Sequence, residues 1–325
     1  MRNIFFLTSW VLQPLGDILK QHNIDIEQAC SQSLFPASAL KQTDVVISWA
    51  CLRRMFRVIE EQAGVPDLGF ELVKKIRISH LKPYLNYAAD NATTIAQTLE
   101  QFIQLNNHQA SNAELYTDAN TDGLWLCFEQ RQYVDTPLHS FEQLMVATFI
   151  EVIRYLTKSN WQPMVVGITN KVHNLGQHQY LNNVTVEQNH SSNRVFVEQS
   201  ILQQAPYISG EKRSDYIASK DDIVAELTLV LTPYLREYIP SLPQAALITG
   251  ISERSIQRYL QQRQLSYRKF IEMLRIRSAK LYLKNREMSV ADVAEKLHYT
   301  HYNNFSRAFQ KSTGQSPSQY KKLHC

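Results

Sequence analysis

Two trios of side chains carry the groups best suited to reading the edge of a base. Arg254, Gln257 and Arg258 stand at i, i+3 and i+4, and Asn303, Ser306 and Arg307 repeat that spacing. On a helix this spacing puts three side chains on one face. Arg offers two parallel donors that match guanine O6 and N7. Asn and Gln offer the donor–acceptor pair that matches adenine, and Ser can bond either. A polar outer face is ordinary on any helix, so one such residue says little. Two matched trios in one basic segment say more, and the partner they imply is double-stranded DNA read in the major groove.

The trios lie in two copies of one pattern, AALITGISERSIQRYLQ (Ala245–Gln261) and VAEKLHYTHYNNFSRAFQ (Val293–Gln310). Each reads as a supporting helix, a tight turn and a recognition helix. Ser241 with Gln244 and Ser289 with Asp292 are spaced as capping boxes for the supporting helices. Ala246 and Ala294 fall where crossing helices need small side chains. Gly250 supplies a positive-φ turn in the first copy, with His298 at the corresponding place in the second. Ser252 and Thr300 are read as N-caps of the recognition helices. Ile256 with Leu260, and Phe305 with Phe309, stand at i, i+4 to anchor those helices inward. Between the copies, a helix from Tyr267 to about Lys284 follows Ser266 as cap, with Phe270, Ile271, Leu274 and Leu281 along one side. At 1.5 Å per residue its ~18 residues span about 27 Å. With the flanking turns added, the recognition helices stand ~34 Å apart, one turn of B-DNA.

Charge separates this part from the rest. Residues 220–325 hold 17 Lys+Arg against 9 Asp+Glu, leaving 17 against 21 in residues 1–219, within a chain of net charge +4. A polyanion partner is therefore expected only for the second part. There Ile223, Val224, Leu227, Leu231 and Tyr234 begin a helix that Pro233 must kink or end. Five more helices follow, and Lys321 and Lys322 lie beyond the last of them. The polar stretch Ser209–Asp222 precedes this all-α part and is read as a linker.

The first part mixes helical and strand patterns. Trp49–Gln62 places Leu52, Met55, Phe56 and Ile59 at helical spacing, and Thr93–Asn106 does so with Ile95, Leu99, Phe102 and Ile103. Gly123–Glu129, Met164–Thr169 and Arg194–Glu198 are short β-rich runs. An α+β (mixed α/β) domain is expected over residues 1–210, a linker over 211–221 and an all-α domain over 222–325. Ile4–Leu12 is apolar enough to resemble a signal segment, but lacks a cleavage site and is read as the lead-in to a buried helix. No apolar run reaches the ~18 residues of a membrane span, so a soluble cytoplasmic protein without membrane contact is expected.

Catalytic chemistry finds no footing. Cys30, Cys51, Cys127 and Cys325 form no CxxC pair, so zinc, a disulfide framework and an alkyl-accepting thiol are not indicated. Nine glycines form neither a GxGxxG nor a phosphate loop, and there is no HExxH. His298 and His301 sit in the second turn, where a polar or phosphate-facing role is read rather than metal binding. His173 and His178 are read as surface residues of a loop. No cofactor is expected. Tyr84, Tyr87, Trp125 and Phe128 can line a pocket or simply fill a core, and ligand-binding residues are left unassigned.

The segment from Asp222 to Cys325 resembles the DNA-binding domain of AraC/XylS-family regulators. Its closing stretch FSRAFQKSTGQSPSQYKK (Phe305–Lys322) lies close to that family's signature. Where the family has Gly in the second turn, this chain has His298. Residues 49–72 and 86–100 more loosely resemble the arabinose-binding-type regulatory domain of some members. The resemblance implies a bacterial activator or repressor with two helix-turn-helix units joined by a linker helix. It also implies a small-molecule sensor or dimerisation module at the N-terminal domain and contact with RNA polymerase, while an N-terminal domain on a flexible linker leads to the expectation of a homodimer, at least on DNA. Effector control and dimerisation alone both stay open, and an alkyl-transfer repair enzyme is the third reading.

Overall fold

The computed structural model describes residues 4, 6–42, 45–64, 67–76, 78, 81–107, 113–130, 139–169, 180–212 and 222–324. The chain divides into two compact units, Met1–Asp221 and Asp222–Cys325.

In the first unit the elements run β1 (Phe6–Thr8), α1 (Gln13–Gln21), α2 (Ile26–Ser33), β2 (Val46–Ser48), α3 (Trp49–Ala63), α4 (Leu68–Ile76), α5 (Lys82–Ala89) and α6 (Ile95–Asn107). They continue through β3 (Ala113–Ala119), β4 (Gly123–Gln130), α7 (His139–Thr157), β5 (Val165–Gly167), β6 (Thr185–Glu187), β7 (Asn193–Glu198) and the short α8 (Gln199–Leu202). The stretch Ile4–Leu12 does lead into a buried helix, α1, whose Leu15, Ile18 and Leu19 are fully buried. The stretch itself forms β1 and a 3-10 turn before α1 starts, because β1 pairs antiparallel with β2 and the Ser9 N–H donates to Val45 O.

The second sheet has the order β3-β4-β7-β5-β6, antiparallel except for the β5–β6 pair. The three strands expected from their β-rich runs occupy its middle. The edge strands β3 (AELYTDA) and β6 (TVE) were not anticipated. An edge strand buries little, so its sequence need not alternate. In β7, Asn193, Val195 and Val197 point to the buried side. One core gathers α1, α3, α4, α6, α7 and this side of the sheet, with Leu52, Phe56, Phe70, Leu99, Ile150 and Val195 fully buried.

α4 and α7 cross at close range. A Cβ on Gly69 would stand 2.0 Å from Ser140 O and 2.6 Å from Leu144 N. The absent side chain also lets the Gly69 N–H donate to Gln143 Oε1 at 3.1 Å. The start of the expected linker is not free either. The buried Asn86 donates through Nδ2 to Ser209 O (2.8 Å) and Glu211 O (3.0 Å), and Tyr155 Oη donates to Asn86 Oδ1 at 2.5 Å. Lys212 pairs with Asp90. Residues 209–212 are thus bound to the first unit, and 213–221 lie outside the described residues, as do His173, His178 and Cys325.

Among its described residues the second unit's elements are all helices: α9 (Ile223–Leu231), α10 (Leu242–Thr249), α11 (Glu253–Gln262), α12 (Tyr267–Tyr282), α13 (Val290–Lys296), α14 (Tyr302–Thr313) and α15 (Pro317–His324). Asp222 caps α9 by accepting from Val224 N at 3.0 Å, and Pro233 falls in the 3-10 turn Thr232–Arg236 that ends it. Six helices follow α9 where five were expected. The tail beyond Gly314 folds into α15, so Lys321 and Lys322 lie within a helix.

α12 has 16 residues, about 24 Å of helix. Its first half buries Phe270, Ile271 and Leu274, and its second half buries Ile276 and Ala279, with Leu283 just past its end, against Val293, Leu297, Phe305 and Phe309. Leu281, expected in line with Leu274, is instead 63% exposed. The helix changes its buried side midway, since it packs first on α11 and then on α13 and α14. Ala294 is buried as expected, whereas Ala246 is half-buried and Ala245 takes the inner place beside it.

The α4–α7 crossing gives a direct test. Gly69→Ala drives a methyl into backbone rather than into a movable side chain, and should destabilise the chain by roughly 3 kcal/mol. Urea unfolding followed by tryptophan fluorescence reports it, since Trp10, Trp49, Trp125 and Trp161 all lie in the first unit. A loss below about 0.5 kcal/mol, the scale of an ordinary surface substitution, would mean the helices part easily there.

Candidate nucleic-acid interface

Each recognition helix is held from behind by two apolar side chains four residues apart. Ile256 and Leu260 are fully buried on α11, as are Phe305 and Phe309 on α14. Full burial of each such side chain contributes about 1.5–3 kcal/mol, enough to fix which face turns outward. Both supporting helices start with complete capping boxes, Ser241 with Gln244 on α10 and Ser289 with Asp292 on α13. The Ser289 hydroxyl and backbone N–H also hold the Asp292 carboxyl below the usual carboxylate range.

The two turns differ by one residue. In the first, Gly250 is left-handed (φ 72°), its N–H donates to Ala246 O at 2.9 Å, and Ser252 caps α11 by accepting from Ser255 N. In the second, Leu297 and then His298 close α13, with His298 left-handed at φ 57°. The His298 N–H donates to Glu295 O (2.8 Å) and the Tyr299 N–H to Ala294 O (3.0 Å), the paired bonds of a Schellman turn. The extra residue moves the cap of α14 to His301, so Thr300, read as that cap, is not one. His301 makes no side-chain cap bond.

Aligned on their buried anchors, α11 and α14 correspond with an offset of 49 residues: Ile256 with Phe305, and Leu260 with Phe309. Arg254 then corresponds to Asn303, Gln257 to Ser306 and Arg258 to Arg307. All six lie on the sides of their helices away from the anchors, exposed except for Ser306, which is half-buried. The guanidinium of Arg258 lies 5.1 Å from the Tyr259 ring. Arg307 folds back along its own helix, donating from Nη2 to Asn304 Oδ1 at 3.1 Å and from Nε to Asn303 O at 3.3 Å. One turn further on, the same face carries Gln261 and Gln310, both exposed. They were missed because the trios were read over a single turn, although i+7 from Arg254 and Asn303 points to them.

Lys321 turns away from this surface. Its ammonium donates to Arg286 O at 3.2 Å and to Met288 O, tying α15 to the segment before α13. Lys322 is exposed.

The aromatic residues considered for a pocket in the first unit do not converge. Phe128 is buried in the core near Trp49 and Phe141, Tyr84 packs at the core margin, and Tyr87 is 41% exposed. Trp125 is on the other face of the sheet, with Phe196 5.1 Å away and the Arg194 guanidinium 4.2 Å over its ring. A polar cluster is buried nearer the α3–α7 side. There Glu142, 4% exposed, accepts from Thr169 Oγ1, and Arg53 lies 4.8 Å over the Phe141 ring. Burial lowers the Arg53 pKa to about 10, with Glu142 opposing that shift. Burial also raises the Cys127 thiol to about 11, which leaves it protonated and unreactive. Among the described residues no group of three or more His, Cys, Asp and Glu is placed to hold a metal, and no helix is long and apolar enough to cross a membrane.

Helices presented behind tight turns in this way define a helix-turn-helix protein, and residues 245–323 match the helix-turn-helix domain family. Residues 24–205, more than half of the chain, match the family described as the arabinose-binding domain of AraC transcription regulators, N-terminal. The chain belongs to this family of AraC transcription regulators. It is 35% identical over 82 residues to an ornithine utilization regulator of Pseudomonas aeruginosa, covering 25% of this chain and 24% of that one. It is 31% identical over 84 residues to the transcriptional activator NphR of a Rhodococcus species, covering 26% and 25%. The matched stretch thus spans about a quarter of each relative. Among solved structures, the transcriptional regulator CdpR of P. aeruginosa aligns over 96% of this chain and 98% of its own, with 15% identity and a TM-score of 0.43. These families and relatives are transcription regulators, not enzymes.

The left-handed His298 makes a prediction specific to the second turn. A Cβ costs roughly 1–2 kcal/mol in this conformation, more than the backbone entropy that Gly would forfeit on folding. His298→Gly should therefore stabilise the second unit by about 0.5–1 kcal/mol, read as a shift in its urea midpoint. A lower midpoint would show that the imidazole contributes more through its contacts than the strain costs.

Proposed function

We propose that this chain is a sequence-specific transcription regulator whose second unit carries two helix-turn-helix modules and reads two successive major grooves of double-stranded DNA. One observation carries the reading. The outward faces of α11 and α14 present Arg254, Gln257 and Arg258, and Asn303, Ser306 and Arg307, at corresponding positions. Structural chance accounts for one polar helix face; it does not readily repeat the same register on a second helix behind a second tight turn. The linker helix α12, about 24 Å long, supplies a separation of the order of one duplex turn once the flanking turns are added.

The first unit is proposed to regulate this activity by binding a small-molecule effector within residues 24–205, the span of the arabinose-binding-type family. The active form is proposed to be a cytoplasmic homodimer that contacts RNA polymerase at promoters. Pairing through the first unit would raise the effective concentration of two DNA-binding units joined by tethers.

Positive charge concentrated in residues 220–325 predicts that a 222–325 fragment binds DNA with affinity that falls steeply with salt, while residues 1–212 do not bind. Fluorescence anisotropy at several salt concentrations decides this, and binding by the 1–212 fragment alone would overturn the assignment. Arg258→Ala and Arg307→Ala should each cost roughly 1–3 kcal/mol on the cognate site and relax preference at different base pairs. Selection from randomised DNA measures those preferences. If both variants relax the same positions, the two helices do not read separate grooves.

A further inference from the structure

The residues that follow the two left-handed positions are held in different ways. In the first turn Ile251, which follows the left-handed Gly250, is buried as an ordinary apolar contact. In the second, the residue after the left-handed His298 is Tyr299, and the linker helix sends Arg275 to it. The Arg275 guanidinium lies 3.4 Å from the Tyr299 ring centroid, and its Nε donates to Leu297 O at 2.9 Å. One side chain of α12 thus satisfies a closing carbonyl of α13 and covers the ring that begins the turn. Cations over aromatic faces attract most strongly when both are partly withdrawn from water. Arg275 and Tyr299 are both half-buried, and burial shifts Arg275 downward and Tyr299 upward.

Tyr299 is in turn the first of a row of rings. It lies 5.2 Å from Phe305, which lies 5.7 Å from Phe309, which lies 5.4 Å from Tyr320 on α15. Phe305 and Phe309 are the anchors that fix the outward face of α14. Among the described residues the buried Tyr299 hydroxyl has no hydrogen-bond partner, so the ring rather than the hydroxyl makes the contact. Arg275 therefore holds the turn and the row of rings behind α14 against the helix that also carries α11.

We infer that Arg275 is a positioning residue that sets the spacing and rotation of the second recognition helix relative to the first, and with them the separation of the two half-sites the protein accepts. The inference rests on the two-groove reading proposed above. Arg275 does not itself read bases; it acts through Tyr299, Phe305 and Phe309.

The test uses the full chain and a selected operator, together with versions whose second half-site is scrambled or whose half-sites are moved apart or together by one base pair. Scrambling should weaken the wild type ~100-fold and Arg275→Met only ~10-fold, since contacts of a loosely placed helix count for less. The one-base-pair changes should weaken the wild type at least ~10-fold and the variant less than ~3-fold, because register on the duplex is what the clamp enforces. Arg275→Lys keeps a cation over the ring but not the same fork to Leu297, and should fall between. Tyr299→Phe should keep the wild-type spacing preference and Tyr299→Leu should lose it.

A uniform loss of affinity in Arg275→Met, with spacing preference intact, would overturn the inference and leave only a packing role. Should that variant fail to fold, Arg275→Lys decides the matter: a wild-type tolerance of spacing in a folded Lys variant that has lost affinity overturns it equally. A wild type indifferent to the second half-site would instead remove the two-groove reading, and the inference with it.

Discussion

The second unit depends on how α12 divides its buried surface. A 16-residue helix between two helix pairs must offer apolar side chains to both, and a single straight stripe cannot face two partners on different sides. Phe270, Ile271 and Leu274 serve the first pair, and Ile276 and Ala279, with Leu283 just past the helix end, the second. Leu281, left between these duties, faces water. The rotation between the two stripes sets where each recognition helix points. Everything the outward side chains can do therefore follows from packing on the opposite side of their helices.

The turns add a second level of control. Both invert chain direction through a left-handed residue, but they solve the geometry differently. Gly250 does so with a bond to Ala246 O and leads at once to a capped helix. His298 does so in a Schellman turn one residue longer, and α14 begins at His301 without a side-chain cap. The second turn lacks both the conformational freedom of glycine and a side-chain cap. Arg275, reaching across from α12 to Leu297 and Tyr299, supplies stabilisation at that place.

The first unit is organised by close approach and buried polarity. Gly69 lets α4 and α7 touch backbone to backbone, and α7 also carries Tyr155, which together with Asn86 holds residues 209–211. α7 thus also holds the last described residues of the first unit.

Much of this was legible in the chain itself. Local physics determined the capping boxes at Ser241 and Ser289, the Gly250 turn, the inward pairs Ile256/Leu260 and Phe305/Phe309, and the outward trios opposite them. All of these depend on residues three or four apart, where helix geometry is fixed. The central strands were legible for the same reason, since β-branched and aromatic runs mark buried strands wherever they pair. Tertiary structure alone decided the rest. The edge strands β3 and β6 exist because a neighbour offers hydrogen bonds, and their own side chains carry little signal. The exposure of Leu281 could not be read from periodicity, because it depends on which partner lies beside that turn of α12. Thr300 looked like a cap, but capping requires a backbone extended at one particular residue, and the longer Schellman turn moved that residue to His301. The contact between Arg275 and Tyr299 joins residues 24 positions apart on different elements. No local rule relates them; they meet only because the core beneath α12 and α14 brings their backbones together.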